Sequence, residues 1–338
     1  MTARYRVFDP LLGDAGAEAM LRLCERFGRY PTYAEDVTAA EPFAPEIPQR
    51  YDAAANFVRT GGRFARPEDP RVLASRTNYF RATYAYDRPA TPGIEPFLFH
   101  EGFVDAAREL HGRPLVAPNI VYANLLVPGQ ELAVHTDVPE FRGANRTKDP
   151  EWLLVAMHLS GLFEAWRMPI ATAVSWFRGC RGGAFAYYPD GRDGAPETIS
   201  ADHDTAALLD TDSIFHGVDR VAETPEPLPP IRPGMRLVHE GGERWSVRDG
   251  DAEVARYRWD DIRFSVSWKA YCFADEAERR AVAEHTDDLT RERILETLIG
   301  DLRRRGRLPA DAPPPPPSRE LALLLIEEYI RFPEPAAA

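Results

Sequence analysis

Lysine is almost missing from this chain. Of 41 Lys and Arg residues only Lys148 and Lys269 are lysines, and the arginines are interleaved with 53 acidic residues to a formal net charge of −12. Polyanion binding draws on counterion release at clustered Lys and Arg, so nucleic acid is not an expected partner. The same scarcity would follow from a GC-rich genome. Cysteine is scarce too: Cys24, Cys180 and Cys272 are scattered, odd in number and without metal spacing. That excludes a disulfide framework and fits a reducing compartment. No apolar run approaches membrane-spanning length; the longest candidate, Leu321 to Ile326, runs straight into Glu327-Glu328. The start, Met1 to Phe8, has no apolar signal-peptide region. The expectation is a cytoplasmic protein with no membrane partner. An apolar fraction of 44% in 338 residues is ample for one elaborated core or two small ones.

What the chain does have is His135-Thr136-Asp137. A histidine and a carboxylate at i and i+2 on a strand point to the same side, so each can offer one ligand atom to a single metal. His216, within Ser213 to Val218, supplies a third. Two imidazoles and one carboxylate on one face of an octahedron leave three open positions, the arrangement of non-haem Fe(II) oxygenases. Among eight histidines a chance His-x-Asp in a surface turn is common, so context decides. Ile120 to Val127 reads as a buried strand stopped by Pro128-Gly129, and Glu131 to Val134 as a second strand, a hairpin that delivers His135. The remaining histidines, His100, His111, His158, His203, His239 and His285, have no partner at ligand spacing on an expected strand.

Further strands are expected at Ile170 to Phe177, Gly182 to Tyr188 and Asp204 to Leu209. The last of the set, Arg263 to Lys269, alternates strictly: Arg263, Ser265, Ser267 and Lys269 on one face, Phe264, Val266 and Trp268 on the other. A strand with a polar inner face belongs to a barrel that holds a charged ligand.

In this order the run from Asn124 to Trp268 resembles the Fe(II)/2-oxoglutarate-dependent dioxygenases. Their pattern is His-x-Asp, a distal His, then Arg followed two residues later by Ser, here His135, Asp137, His216, Arg263 and Ser265. The resemblance covers about the central half of the chain and implies a mainly β, α+β fold with flanking helices around a double-stranded β-helix (jelly roll) core. It implies Fe(II), 2-oxoglutarate as co-substrate, O2, and ascorbate as an optional reductant. His135, Asp137 and His216 would hold the metal. Arg263, with Ser265 as second donor, would meet the distal carboxylate of 2-oxoglutarate, since a guanidinium fork makes two parallel charge-assisted hydrogen bonds. Asn124, eleven residues before His135, would help hold the co-substrate; the plainer reading is a strand-end Asn satisfying backbone groups.

The interval of forty-seven residues between His216 and Arg263 is longer than relatives show. It contains the Pro-rich stretch Pro225 to Pro233 and an inserted hairpin with strands at Met235 to His239, Arg244 to Val247 and Val254 to Trp259, so Arg220, Arg232 and Arg236 rival Arg263. Because Asp137 is a carboxylate, hydroxylation rather than halogenation is expected, with desaturation or ring closure as variants. The favoured substrate is a small molecule, an amino acid or a specialised metabolite. The alternatives are a peptidyl hydroxylase acting on a protein partner and a metal-binding jelly roll that is a sensor or isomerase.

The expected organisation is residues 1–114 as strands and helices buttressing the core, 115–272 as the catalytic core with a lid at 138–169 and the insertion at 225–259, and 273–338 as a helical extension. A helix from Ala15 to Phe27 is expected to bury Ala19, Met20, Leu23 and Cys24, and another spans Phe103 to Leu110. In the lid, Glu151 to Trp166 reads as an apolar helix, and Arg142, Arg146, Trp166 and Arg167 are candidates for selecting an anionic or polar substrate. The C-terminal region holds a charged helix from Asp275 to Arg305, a stiff spacer at Pro313 to Pro317 and a last helix from Glu320 to Ile330. Its apolar stripe packs on the parent domain or, as the alternative, forms a homodimer contact.

Overall fold

The computed structural model describes residues 5–35, 47–222, 227–310 and 318–335. The spacer Pro313 to Pro317 and the start of the Pro225 to Pro233 stretch lie outside these residues.

Strand β1 (Tyr5–Phe8) leads into helix α1 (Gly13–Phe27) and strand β2 (Arg29–Pro31). Helices α2 (Tyr51–Thr60) and α3 (Pro70–Thr77) precede β3 (Phe80–Ala85), and α4 (Glu95–Leu98) and α5 (Glu101–His111) precede the long β4 (Leu115–Leu126). Next come β5 (Leu132–His135), β6 (Glu140–Phe141), α6 (Glu151–Ser160), β7 (Arg167–Met168) and β8 (Ile170–Trp176). Strands β9 (Phe185–Tyr187), β10 (Glu197–Ile199), β11 (Thr205–Leu209) and β12 (His216–Val218) follow. The insertion is a meander of β13 (Arg236–His239), β14 (Arg244–Asp249) and β15 (Ala252–Arg258). Strand β16 (Arg263–Phe273) and helices α7 (Glu276–Glu284), α8 (Arg291–Arg304) and α9 (Arg319–Tyr329) close the chain.

All the strand pairings are antiparallel. A six-stranded sheet runs β1-β11-β8-β16-β4-β3 and a four-stranded one β10-β9-β12-β5; the insertion builds a second four-stranded sheet by recruiting β2. One face of the six-stranded sheet is apolar. Phe80, Val121, Phe264 and Trp268 pack there with Leu23, Phe97 and Phe103 of the overlying helices. The opposite face carries Arg263, Ser265, Ser267 and Lys269, and all four line a cavity of about 230 Å³ shared with residues of β5, β9 and β12. Alternation at period two thus divides the strand between core and site.

Several expectations are corrected. The strands flanking Pro128-Gly129 are not a hairpin: β4 pairs with β3 and β16, whereas β5 pairs with β12 in the other sheet. The turn carries the chain from one sheet to the facing one, a crossing that local turn chemistry does not distinguish from a hairpin. Helix α1 buries Ala17, not Ala19, because Ala19 lies roughly 200° further around the axis. The helix at Glu151 ends at Ser160, where Gly161 adopts φ +70°, and only a short 3-10 turn covers Glu164–Trp166. The segment from Asp275 to Arg305 is two helices, broken where His285 takes φ +56°. Of the apolar stripe read in that segment, Leu289, Ile294, Leu295, Leu298 and Leu302, all but the partly buried Leu295 are buried in the same chain, in one cluster with Leu153 to Met157 of α6 and Leu321 and Leu325 of α9.

Candidate active site

Strand β5 ends on His135, and β12 begins on His216 directly opposite in register. Their ring centroids are 4.5 Å apart. Asp137 lies just past the end of β5, where its N–H donates to the Thr211 carbonyl at 2.8 Å. Its Oδ1 is 3.8 Å from Nε2 of both His135 and His216. These residues offer three ligand atoms within 4.8 Å of one another, the one such cluster among the described residues.

The histidine tautomers follow from the neighbours. Nδ1 of His135 is 2.7 Å from the Ala133 carbonyl, and Nδ1 of His216 is 2.9 Å from that of Ile214. A carbonyl only accepts, so each Nδ1 carries the proton and each Nε2 turns its lone pair toward Asp137. Burial, and then the proximity of His216, pushes His135 down to about 3; burial lowers His216 as well. Both rings are therefore neutral at pH 7, the form that binds metal. Burial alone would raise the Asp137 carboxyl, but Lys269 and the two imidazoles outweigh it and hold the group well below the usual range. Lys269 Nζ donates to Asp137 Oδ2 at 2.5 Å and to Thr172 Oγ1 at 3.0 Å, and Thr172 is hydrogen-bonded to Thr211 at 2.7 Å.

Arg263 faces the same cavity and is 2% exposed. Its Nε donates to the Gly183 carbonyl at 2.6 Å and its Nη1 to Ser265 Oγ at 3.0 Å, while Nη2 is buried without a partner. Burial pushes its pKa down to about 10, so it remains charged at pH 7. No carboxylate among the described residues pairs with it. A buried unpaired guanidinium is costly unless an anion joins it. Ser265 is paired in register with Asn124, and Asn124 in turn with Arg81, so the three form one row across the sheet. Asn124 Oδ1 is buried and unpartnered as well. Gly183 has φ +66°, and a Cβ there would stand 2.7 Å from Arg263 Cδ, so this glycine is required for close approach.

The rival arginines are neutralised elsewhere: Arg220 by Glu131 at 2.8 Å and Glu68 at 3.1 Å, Arg236 by Glu35 at 2.5 Å, and Arg232 by Asp249. Of the four expected substrate-selecting residues only Arg146 lines the cavity. Arg142 pairs with Asp287 at 2.8 Å, and Trp166 Nε1 donates to the Asp287 carbonyl at 3.0 Å; both fasten the C-terminal helices. Arg167 pairs with Asp210 at 2.8 Å. These are structural ties: Arg142 and Trp166 join the segment after Asp137 to the link between α7 and α8, and Arg167 joins it to the residue after β11.

Sequence reading missed the contribution of the N-terminal region: Tyr33, Gln49, Arg50, Tyr79 and Arg81 line the cavity, and no spacing signal ties them to the metal ligands. The role of Lys269 was legible only as far as its place on the polar face. Other histidines are engaged away from this cluster: His203 Nδ1 accepts from the Arg178 N–H at 2.9 Å, and His158 Nε2 is 2.9 Å from Ser213 Oγ.

No protein-family model matches the sequence, and no curated protein matches it. Solved structures to which the chain is similar include a prolyl hydroxylase from Trichoplax adhaerens in complex with a hypoxia inducible factor peptide fragment, at 13% identity and TM-score 0.40 over 82% of this chain and 87% of that one. A Pseudomonas putida prolyl-4-hydroxylase gives 10% identity and TM-score 0.38 over 80% and 92%. HygX from Streptomyces hygroscopicus, with nickel, 2-oxoglutarate and hygromycin B bound, gives 10% identity and TM-score 0.40 over 80% and 84%.

Proposed function

We propose that this protein is an Fe(II)/2-oxoglutarate-dependent oxygenase built on a double-stranded β-helix, and that it hydroxylates a small molecule. The observation that carries this reading is the coincidence, in one cavity, of a His-Asp-His ligand set and a buried guanidinium with no carboxylate partner among the described residues. A metal sensor or isomerase needs the first feature but not the second.

His135, Asp137 and His216 would hold the metal, and their donor set fits Fe(II) with three positions left open. The metal and 2-oxoglutarate together supply the oxidation R–H + 2-oxoglutarate + O2 → R–OH + succinate + CO2. The chain's own residues supply the placement. Backbone carbonyls fix both imidazoles in the ligating tautomer. Lys269 holds Oδ2 of Asp137, which leaves Oδ1 facing the two Nε2 atoms. Arg263 and Ser265 would receive the distal carboxylate of the co-substrate, and Asn124, on the same row, offers an amide beside it. The buried Trp176 places its ring centre 5.9 Å from the Arg263 guanidinium carbon.

A small-molecule substrate is supported by the wall that Glu140, Arg146 and Glu151 form over the cavity from the segment after Asp137. The test is anaerobic calorimetry of 2-oxoglutarate into the Fe(II)-loaded protein. Binding that requires both the metal and Arg263 supports the reading, and binding indifferent to Arg263→Met would remove its main support.

A further inference from the structure

Beyond the metal ligands the cavity has a mixed-charge end whose two charges are left open. Arg146 Nη1 and Glu151 Oε1 stand 3.9 Å apart, too far for a hydrogen bond, and neither side chain makes one among the described residues. Neighbouring arginines close on their carboxylates: Arg142 on Asp287 at 2.8 Å, Arg167 on Asp210 at 2.8 Å and Arg50 on Asp52 at 2.5 Å. The open pair lines the cavity together with Gln49, a residue 6% exposed whose Nε2 is buried without a partner. The same lining includes aromatic rings: Tyr33 stacked on Tyr79 at 4.8 Å, and Tyr122, whose ring centre is 3.8 Å from the Arg81 guanidinium carbon.

Two opposite charges side by side discriminate by dipole. A simple anion drawn to Arg146 meets the repulsion of Glu151, and a simple cation meets the reverse. A molecule with a carboxylate and an ammonium on one carbon, laid antiparallel to the pair, completes both contacts as charge-assisted hydrogen bonds. The unpartnered Gln49 amide adds a donor on the same cavity, and the tyrosine rings in its lining add apolar surface.

We propose that the substrate is a zwitterion, an α-amino acid or a close analogue, with its carboxylate on Arg146 and its ammonium on Glu151. Calling this ligand the substrate rests on the oxygenase reading.

The experiment measures succinate formed by the Fe(II)-loaded full chain with 2-oxoglutarate. The additions are the proteinogenic amino acids, their D-enantiomers, and yeast extract divided by ion exchange into amphoteric, cationic, anionic and neutral pools. Stimulation by an amino acid or the amphoteric pool is expected. Stimulation confined to another pool, or none above a measurable unstimulated rate, overturns the zwitterion; no succinate under any condition overturns the oxygenase reading and the proposal with it. With the stimulating compound in hand, Glu151→Gln and removal of the ligand's amino group are each expected to raise KM at least tenfold. The two together should cost no more than either alone. Fully additive losses would show that Glu151 does not meet the ammonium.

Discussion

Lys269 Nζ lies 2.5 Å from Asp137 Oδ2, and the same ammonium donates to Thr172 Oγ1 at 3.0 Å. The carboxylate that would ligate the metal is thus gripped from behind by a cation six residues along the strand from Arg263. One polar strand face thus carries both the unpaired guanidinium and the ammonium that holds Asp137.

Lys269→Met removes that grip. Outer partners of metal ligands typically contribute roughly 10–100-fold in affinity, so Co(II) titration of the variant is expected to show a loss of this size, with Lys269→Arg recovering part of it. Unchanged affinity in Lys269→Met would show that Asp137 is oriented by the backbone alone.

Arg263→Met separates the co-substrate from the metal. For the wild type, 2-oxoglutarate at 100 times Kd should stabilise the metal-loaded fold by about 2.7 kcal/mol. In the variant that thermal shift should vanish while metal binding persists. A shift of equal size in both proteins would return the role to another cation.

Gly183→Ala probes the contact beneath Arg263. The backbone at φ +66° costs an alanine roughly 1–2 kcal/mol, and its Cβ would also press on Arg263 Cδ at 2.7 Å. Gly191 is the control, with φ +79° and nothing within 4 Å of an added Cβ. Both substitutions are expected to lower Tm, and only Gly183→Ala should weaken 2-oxoglutarate. Equal effects on the ligand would show backbone strain rather than the Arg263 contact at work.

Asp212 is fully buried, and neither of its carboxylate oxygens has a hydrogen-bond partner. Burial and the neighbouring Asp210 push it from 3.8 up to about 8, against the pull of Lys269 and Arg167. Between these values the folded chain retains a proton that the unfolded chain has released. Its contribution to stability is therefore complete below about pH 4 and is lost as pH rises through about 8. Chemical denaturation across pH 5 to 8 should show the wild type losing stability relative to Asp212→Asn. Parallel pH profiles would place Asp212 in a wetter setting.

The parts of this site that share one strand face were legible in the sequence. Period-two alternation placed Arg263, Ser265, Ser267 and Lys269 together, and His135 with Asp137, from local geometry alone. The pairing of His135 with His216 depends on a register between strands about eighty residues apart, for which only the order of motifs gave a hint. Which arginines are free to bind and which are tied depends on long-range ion pairs. Arg142 and Arg167 looked like Arg146 in sequence but are held by Asp287 and Asp210. Tyr33, Gln49 and Arg81 reach the cavity through long-range packing: β3 pairs with β4, the Tyr33 N–H donates to the Tyr79 carbonyl, and α2, just after Gln49, packs on β5, none of which has a local signature.

The most direct measurement is succinate production from 2-oxoglutarate by anaerobically purified protein given Fe(II), ascorbate and air, beside His135→Ala. Slow turnover by the wild type, abolished in the variant and absent without Fe(II), is expected. No succinate from wild-type protein that demonstrably holds its metal, or equal amounts from both proteins, would contradict an oxygenase centred on His135, Asp137 and His216.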